Sequence, residues 1–189
     1  MIRIGILGDI GSGKSFVARN FGYPIFNADR EVNEIYKRNN KIYIKLKKAL
    51  PKYIRSYPVD KKEITNAILG NKSNLKKIVQ IIHSEIRKKM SIFIKKNQKK
   101  KIIILDIPLL LENKINKKKD ILIFVQSKKS DILKRLKKRK NFSKKLFHKF
   151  KRLQLSLEYK KKASKFIIKN DFTENSIKKN VKNILIKIL

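Results

Sequence analysis

Residues 2–15 read Ile2-Arg3-Ile4-Gly5-Ile6-Leu7-Gly8-Asp9-Ile10-Gly11-Ser12-Gly13-Lys14-Ser15. Ile2 to Leu7 is a short apolar run with the look of a buried strand leading into a loop. Gly8 to Ser15 then fits G-x-x-x-x-G-K-[ST]. The glycines allow backbone conformations that turn successive N–H groups inward, which makes a nest for an anion. A helix opening near Lys14 adds its positive end. Lys14 places a point charge on β- and γ-phosphates, and the Ser15 hydroxyl suits Mg²⁺. The residues expected to line a triphosphate are therefore Gly8, Asp9, Ile10, Gly11, Ser12, Gly13, Lys14, Ser15 and Phe16, with ATP and Mg²⁺ as the expected ligands. Asp9 is unusual, because a carboxylate beside a triphosphate is unfavourable unless it points to solvent.

Outward from this loop, strands alternate with helices. Ser15 to Phe21 reads as a helix and Tyr23 to Phe26 as a second short strand. Arg30 to Leu50 reads as one basic helix, and Tyr53 to Asp60 as irregular, with Pro58 as a breaker. Ser73 is the expected N-cap of a long helix to Lys96, with Leu75, Ile78, Val79, Ile82, Ile86 and Phe93 at helical spacing. Ile102 to Leu105, ending in Asp106, and Ile121 to Val125 read as strands. Asn113 to Lys119 is loop-like. Ser130 to Arg139 reads as a helix and Asn141 to Phe150 as a basic, mobile stretch. Phe166 to Ile168 is a last strand. Glu174 to Leu189 is an amphipathic helix with Ile177, Val181, Ile184, Leu185 and Ile188 on one face. The pattern predicts an α/β fold, a mostly parallel sheet of P-loop NTPase type covered by helices on both faces. At 189 residues, one such domain is the natural size.

Composition narrows the function classes. No cysteine is present, which excludes disulfides, thiolate metal sites and a cysteine nucleophile. No apolar run approaches the ~18 residues of a membrane span. The amino terminus lacks the form of a signal peptide, since its apolar stretch is broken by Arg3 and ends at Asp9. A cytoplasmic protein is expected, with no membrane partner. The 51 Lys+Arg against 14 Asp+Glu give a net charge of +37. Such charge fits a nucleic-acid binder. The lysines, however, lie along the whole chain and no nucleic-acid motif accompanies them, so no specific nucleic-acid partner is expected. Oligomeric state is left open.

Asn27-Ala28-Asp29 follows the second strand, at the edge of a parallel sheet where ligands sit. A carboxylate there can take a proton from an attacking hydroxyl; alternatively, Asp29 caps the helix that follows. His83 and Arg87, four apart, share a helical face. Asp106, at the end of an apolar strand, suits magnesium-bound water or a strand cap. Arg135 and Arg139 are one helical turn apart.

This ordered set resembles the dephospho-CoA kinase family over nearly the whole chain. The family's D-A-D is similar to Asn27-Ala28-Asp29. Its H-P-x-x-R is similar to His83-Ser84-Glu85-Ile86-Arg87, and its V-P-L-L-x-E to Ile107-Pro108-Leu109-Leu110-Leu111-Glu112. Its lid R-x-x-x-R matches Arg135 and Arg139, and its following glutamine resembles Gln154. The resemblance implies Asp29 as base, with Lys14 and lid arginines such as Arg139 stabilising the transferring phosphoryl group. It implies an acceptor site of Asp29, His83, Arg87, Pro108, Leu109, Leu110 and Gln154, and nucleotide contacts from Arg135 and Arg139. Metal contacts fall to Ser15 and Asp106. An acceptor-binding helical insertion is expected over about 31–96 and a lid over about 137–153. Asn27, Ser84 and Phe150 depart from the family's pattern; at Phe150 the family often carries a lid arginine, and Lys149, Lys151 and Arg152 are the basic residues beside it that stand as alternatives for that role. The implied acceptor is dephospho-CoA. A nucleoside monophosphate kinase on the same scaffold, or a nucleic-acid-binding ATPase, are the rival readings.

Overall fold

Ile102-Ile103-Ile104-Leu105 carries branched apolar side chains without a polar face, as a strand covered on both sides must. In the computed structural model, which describes residues 1–138 and 142–189, this run is the heart of β3 (Ile102–Asp106) and is 0% exposed from Ile102 to Leu105. β1 (Ile2–Gly8) pairs with one edge of β3, and β2 (Ile25–Asn27) with the other. β4 (Ile121–Gln126) pairs with the free edge of β1, and β5 (Phe166–Lys169) with β4. Every pairing is parallel and the order is β2-β3-β1-β4-β5. The P-loop strand β1 is therefore central, with Ile4 opposite both Ile104 and Ile121.

Alternation along the strands divides the sheet into two apolar faces. Ile4, Ile6, Ile102, Ile104, Ile123, Val125 and Ile168 pack with Val17, Ala18 and Phe21 of α1 (Lys14–Asn20). Ile177, Val181 and Ile184 of α9 (Glu174–Ile188) complete that layer. Burying each of these branched side chains stabilises the fold by roughly 1.5–3 kcal/mol before chain entropy is counted. On the opposite face Leu110 and Leu122 crowd Gly5, where an added Cβ would lie 2.5 Å and 2.8 Å from their methyl carbons. α8 (Leu157–Lys162) packs against β1. Arg3, 8% exposed, donates to Asp120 at 2.9 Å and ties β1 to the turn before β4.

Contacts divide the chain into two units. One is Met1–Asn27 with Lys96–Leu189, which holds the sheet; the other is Ala28–Lys95. The second unit consists of α2 (Ala28–Arg38), α3 (Asn40–Ala49), α4 (Lys61–Gly70) and α5 (Lys72–Lys96, whose last residue belongs to the first unit). Its interior includes Ile35, Ile42, Leu46, Ile54, Ala67 and Ile68. The single helix expected from Arg30 to Leu50 is two. Asn39 accepts from the Ile42 N–H at 3.1 Å, capping a fresh start. Ser73 does not cap α5, which already begins at Lys72; Asn71 instead accepts from the Ser73 N–H at 2.9 Å. α4 went unassigned in the sequence, although Asp60 caps it by accepting from the Lys62 N–H at 2.8 Å.

In the first unit, α6 (Lys129–Lys137) follows β4. The stretch expected to be mobile contains α7 (Lys144–Lys151), where Ser143 accepts from the Leu146 N–H. Arg139 and Asn141 lie outside the described residues.

Candidate active site

The loop after β1 owes its shape to glycine. Gly11 and Gly13 sit at φ 85° and 87°, in the left-handed region that Cβ-bearing residues avoid. Gly13 has a second reason: a Cβ there would lie 2.3 Å from Nδ2 of Asn170. Asn170, 3% exposed at the end of β5, donates from that Nδ2 to the Ser12 carbonyl at 2.8 Å. Its Oδ1 accepts from the Phe172 N–H at 2.9 Å. Ser127, just past β4, donates its hydroxyl to the same Ser12 carbonyl at 2.9 Å. Residues from the ends of β4 and β5 thus brace the middle of the loop, and the turn after β1 is pre-formed. The Lys14 ammonium arches back to donate to the carbonyls of Asp9 at 2.8 Å and Gly8 at 3.4 Å.

Asp9 does not simply face water. Its Oδ1 accepts from the Ile10 N–H at 2.7 Å and from the ammonium of Lys151, at the end of α7. Ile10 is half-buried, and Phe16 packs on the α1 side of the core. Asp106, 3% exposed, ends β3 at the same carboxyl edge of the sheet as the phosphate loop, and Asn27 donates to its Oδ2. A hydroxyl at Ser15 and a carboxylate at Asp106 are hard oxygen donors of the kind Mg²⁺ takes. Among the described residues no group of three or more His, Cys, Asp and Glu side chains forms a metal cage. One or two protein oxygens, with waters and phosphates completing the shell, is how Mg²⁺ is usually held, so the donor set fits.

Arg135 of α6 lays its guanidinium over the Phe172 ring, 4.2 Å from the centroid, in cation–π contact. Phe172 itself sits at φ 66° beside Gly13. Next to it, hydrogen bonds from the Thr173 backbone and hydroxyl hold the Asp171 carboxyl below the usual carboxylate range. After β3, Pro108 and Leu109 lie in a half-buried turn, whereas Leu110 is 0% exposed beneath Gly5 and is a core side chain. Gln154 accepts at 3.3 Å from the buried ammonium of Lys160, which pairs with Glu112 at 2.8 Å.

In the second unit, Asp29 is exposed and is the second residue of α2. It lies inside the helix, so it is not the helix's N-cap. His83 and Arg87 share a face of α5, the first half-buried and the second exposed. Burial, and then the positive charge of Arg87, push the His83 imidazole below its ordinary pKa of 6.5.

A family model of the dephospho-CoA kinases matches residues 2–176. The chain belongs to the dephospho-CoA kinase family. The dephospho-CoA kinase of Wolbachia pipientis wMel is 33% identical over 187 residues, covering 96% of this chain and 95% of that relative. That of Bartonella henselae is 31% identical over 170 residues, covering 87% of each. Among solved structures, a Thermus thermophilus protein superposes with a TM-score of 0.76 at 24% identity, over 100% of this chain and 98% of that one. The dephospho-CoA kinase of Campylobacter jejuni gives 0.64 at 21%, over 98% and 96%. At such identities the superpositions establish the fold, and they match the parallel sheet described above.

Within this dephospho-CoA kinase family member, three residues escaped the sequence reading. Asn170 and Ser127 brace the loop, and Phe172 carries Arg135. Only Asn170 left a local trace, as the polar residue that ends the Phe166-Ile167-Ile168-Lys169 strand. Lys151, one of the three basic residues set beside Phe150 in the sequence, pairs with Asp9, a partner no local pattern indicates.

Proposed function

We propose that this chain transfers the γ-phosphate of ATP to the ribose 3′-hydroxyl of dephospho-CoA, giving CoA and ADP. The observation that carries the reading is the family match over residues 2–176, with the braced Gly8–Ser15 loop inside it. The loop N–H groups and Lys14 cradle the triphosphate, and Arg135 on Phe172 offers a flat cationic surface for the adenine. Asp29 takes the proton of the attacking 3′-hydroxyl; its exposure near the start of α2 supports that role over a buried cap. The second unit receives the acceptor, with Arg87 and His83 contacting an acceptor phosphate. Pro108 and Leu109 shape the acceptor's surroundings, Leu110 supports them from the core, and Gln154 lies at the return from the lid. Arg139 joins the lid cations that offset charge on the transferring group. Ser15 and Asp106 would hold Mg²⁺, which when bound neutralises charge on the phosphate oxygens.

No helix among the described residues is long and apolar enough to cross a membrane. We take the protein to work in the cytoplasm on small molecules, with its lysine-rich surface a solvated face rather than a nucleic-acid site.

The deciding experiment incubates the protein with Mg·ATP and dephospho-CoA and looks for CoA by mass. CoA with matching ADP is expected. Preference for AMP, CMP or UMP as acceptor would overturn the reading. So would ATP hydrolysis stimulated by DNA or RNA with no phosphorylated acceptor.

A further inference from the structure

Asp9 is a carboxylate within the loop shaped for a triphosphate, and by itself it would repel that ligand. Its side chain is only 16% exposed, so the repulsion would be weakly screened. Two ammonium groups meet at this one residue. Lys14 donates to its carbonyl at 2.8 Å, and Lys151 donates to its carboxylate. The second contact joins residues 142 positions apart. α7, which ends at Lys151, buries none of its residues. Apolar packing therefore does little to hold it, and a charged contact at its last residue weighs the more. Asp9 Oδ1 is also anchored by the Ile10 N–H at 2.7 Å, so the carboxylate has a defined direction.

We infer that Asp9 is a positioning residue that docks Lys151, and α7 with it, on the phosphate loop, and that Lys151 is a nucleotide-phosphate ligand beside Lys14. The inference rests on reading Gly8–Ser15 as the ATP site. It resolves the oddity of an acidic residue there: the carboxylate recruits a cation that the loop itself lacks. The ion pair stands ready where the terminal phosphates arrive, and a phosphate oxygen then shares the Lys151 ammonium with Asp9.

The test is an acyl phosphate of ATP, a probe whose carbonyl is transferred to a nearby lysine amine. An amide bond forms as the acyl–phosphate bond breaks and the nucleotide leaves. Peptide mapping of the labelled full chain is expected to find both Lys14 and Lys151, with labelling of both blocked by excess ATP. In Asp9→Asn, labelling of Lys151 is expected to fall roughly fivefold while Lys14 is unchanged, the scale of a partly exposed ion pair. Lys151→Met is expected to raise KM for ATP about tenfold, as for loss of one charged hydrogen bond. KM for the acceptor should not move, and Lys151→Arg should recover most of the loss. Labelling of Lys14 without Lys151, or equal Lys151 labelling with and without Asp9, would overturn the inference. Failure of both lysines to label would instead strike at the ATP site itself. Melting curves on each variant verify that it is folded.

Discussion

Lys160 is 1% exposed in a chain whose other lysines mostly face water, and replacing it by methionine tests the interior directly. Its ammonium pairs with Glu112 at 2.8 Å and donates to Gln154 Oε1 at 3.3 Å. Glu112 Oε1 also accepts from the Leu155 N–H at 3.0 Å. Glu112 Oε2 is buried and has no hydrogen-bond partner among the described residues. Lys160→Met keeps the volume and leaves a carboxylate, 8% exposed, with one backbone donor. Removing one partner of a buried pair costs about 3–5 kcal/mol. For a domain of this size each kcal/mol moves Tm by about 2–4 °C, so a fall of roughly 6–20 °C is expected. Removing both charges in Lys160→Met/Glu112→Leu leaves no orphan, and most of the loss should return. Thermal unfolding followed by circular dichroism at neutral pH measures both variants. A single variant melting within about 2 °C of the parent, or a double variant no better than the single, would refute the claim that this pair is a desolvated unit.

Three further expectations follow from particular contacts. Gly13→Ala combines a left-handed backbone cost of about 1–2 kcal/mol with displacement of the Asn170 amide, another about 1–3 kcal/mol; ATP binding by calorimetry should be lost along with stability, and an alanine variant that binds normally would contradict the brace. Asp29→Asn should lower kcat by about 10²-fold or more while leaving ATP affinity in place; equal loss of both would remove Asp29 as base. His83 has a folded pKa below 6.5, so near and below that pH the unfolded chain binds a proton that the folded one resists. The stability contribution is therefore present above 6.5 and lost as pH falls through the lowered value. Urea unfolding over this range should show that loss shrink in His83→Gln, and an unchanged slope would count against it.

The phosphate loop was legible because its chemistry is contiguous. Three glycines, a lysine and a serine at set spacing follow an apolar run, and each acts through its own backbone or tip. Strands β1, β3 and β4 were legible for the same local reason. Helix boundaries were less so. Asn39 and Asp60 are capping signals in plain view, yet the same residue types mark turns and loops as readily as caps, and their lysine-rich flanks show too little apolar periodicity to tell where a helix starts. Ser143 was lost in the same way.

From the sequence alone came the class of fold, the phosphate loop, and the positions of Asp29, His83, Arg87 and Asp106 along the chain. Strand order, with β1 between β3 and β4, came only from tertiary structure. So did the Asn170 brace on Ser12, the pairing of Lys151 with Asp9, and the burial of Lys160 rather than any of its neighbours. Local patterns report how a residue relates to those within a turn or two of it, through backbone geometry and periodicity. Which lysine meets which carboxylate more than a hundred positions away is decided by where the packed sheet brings the strand ends, and a uniform scatter of lysines leaves no mark of that choice.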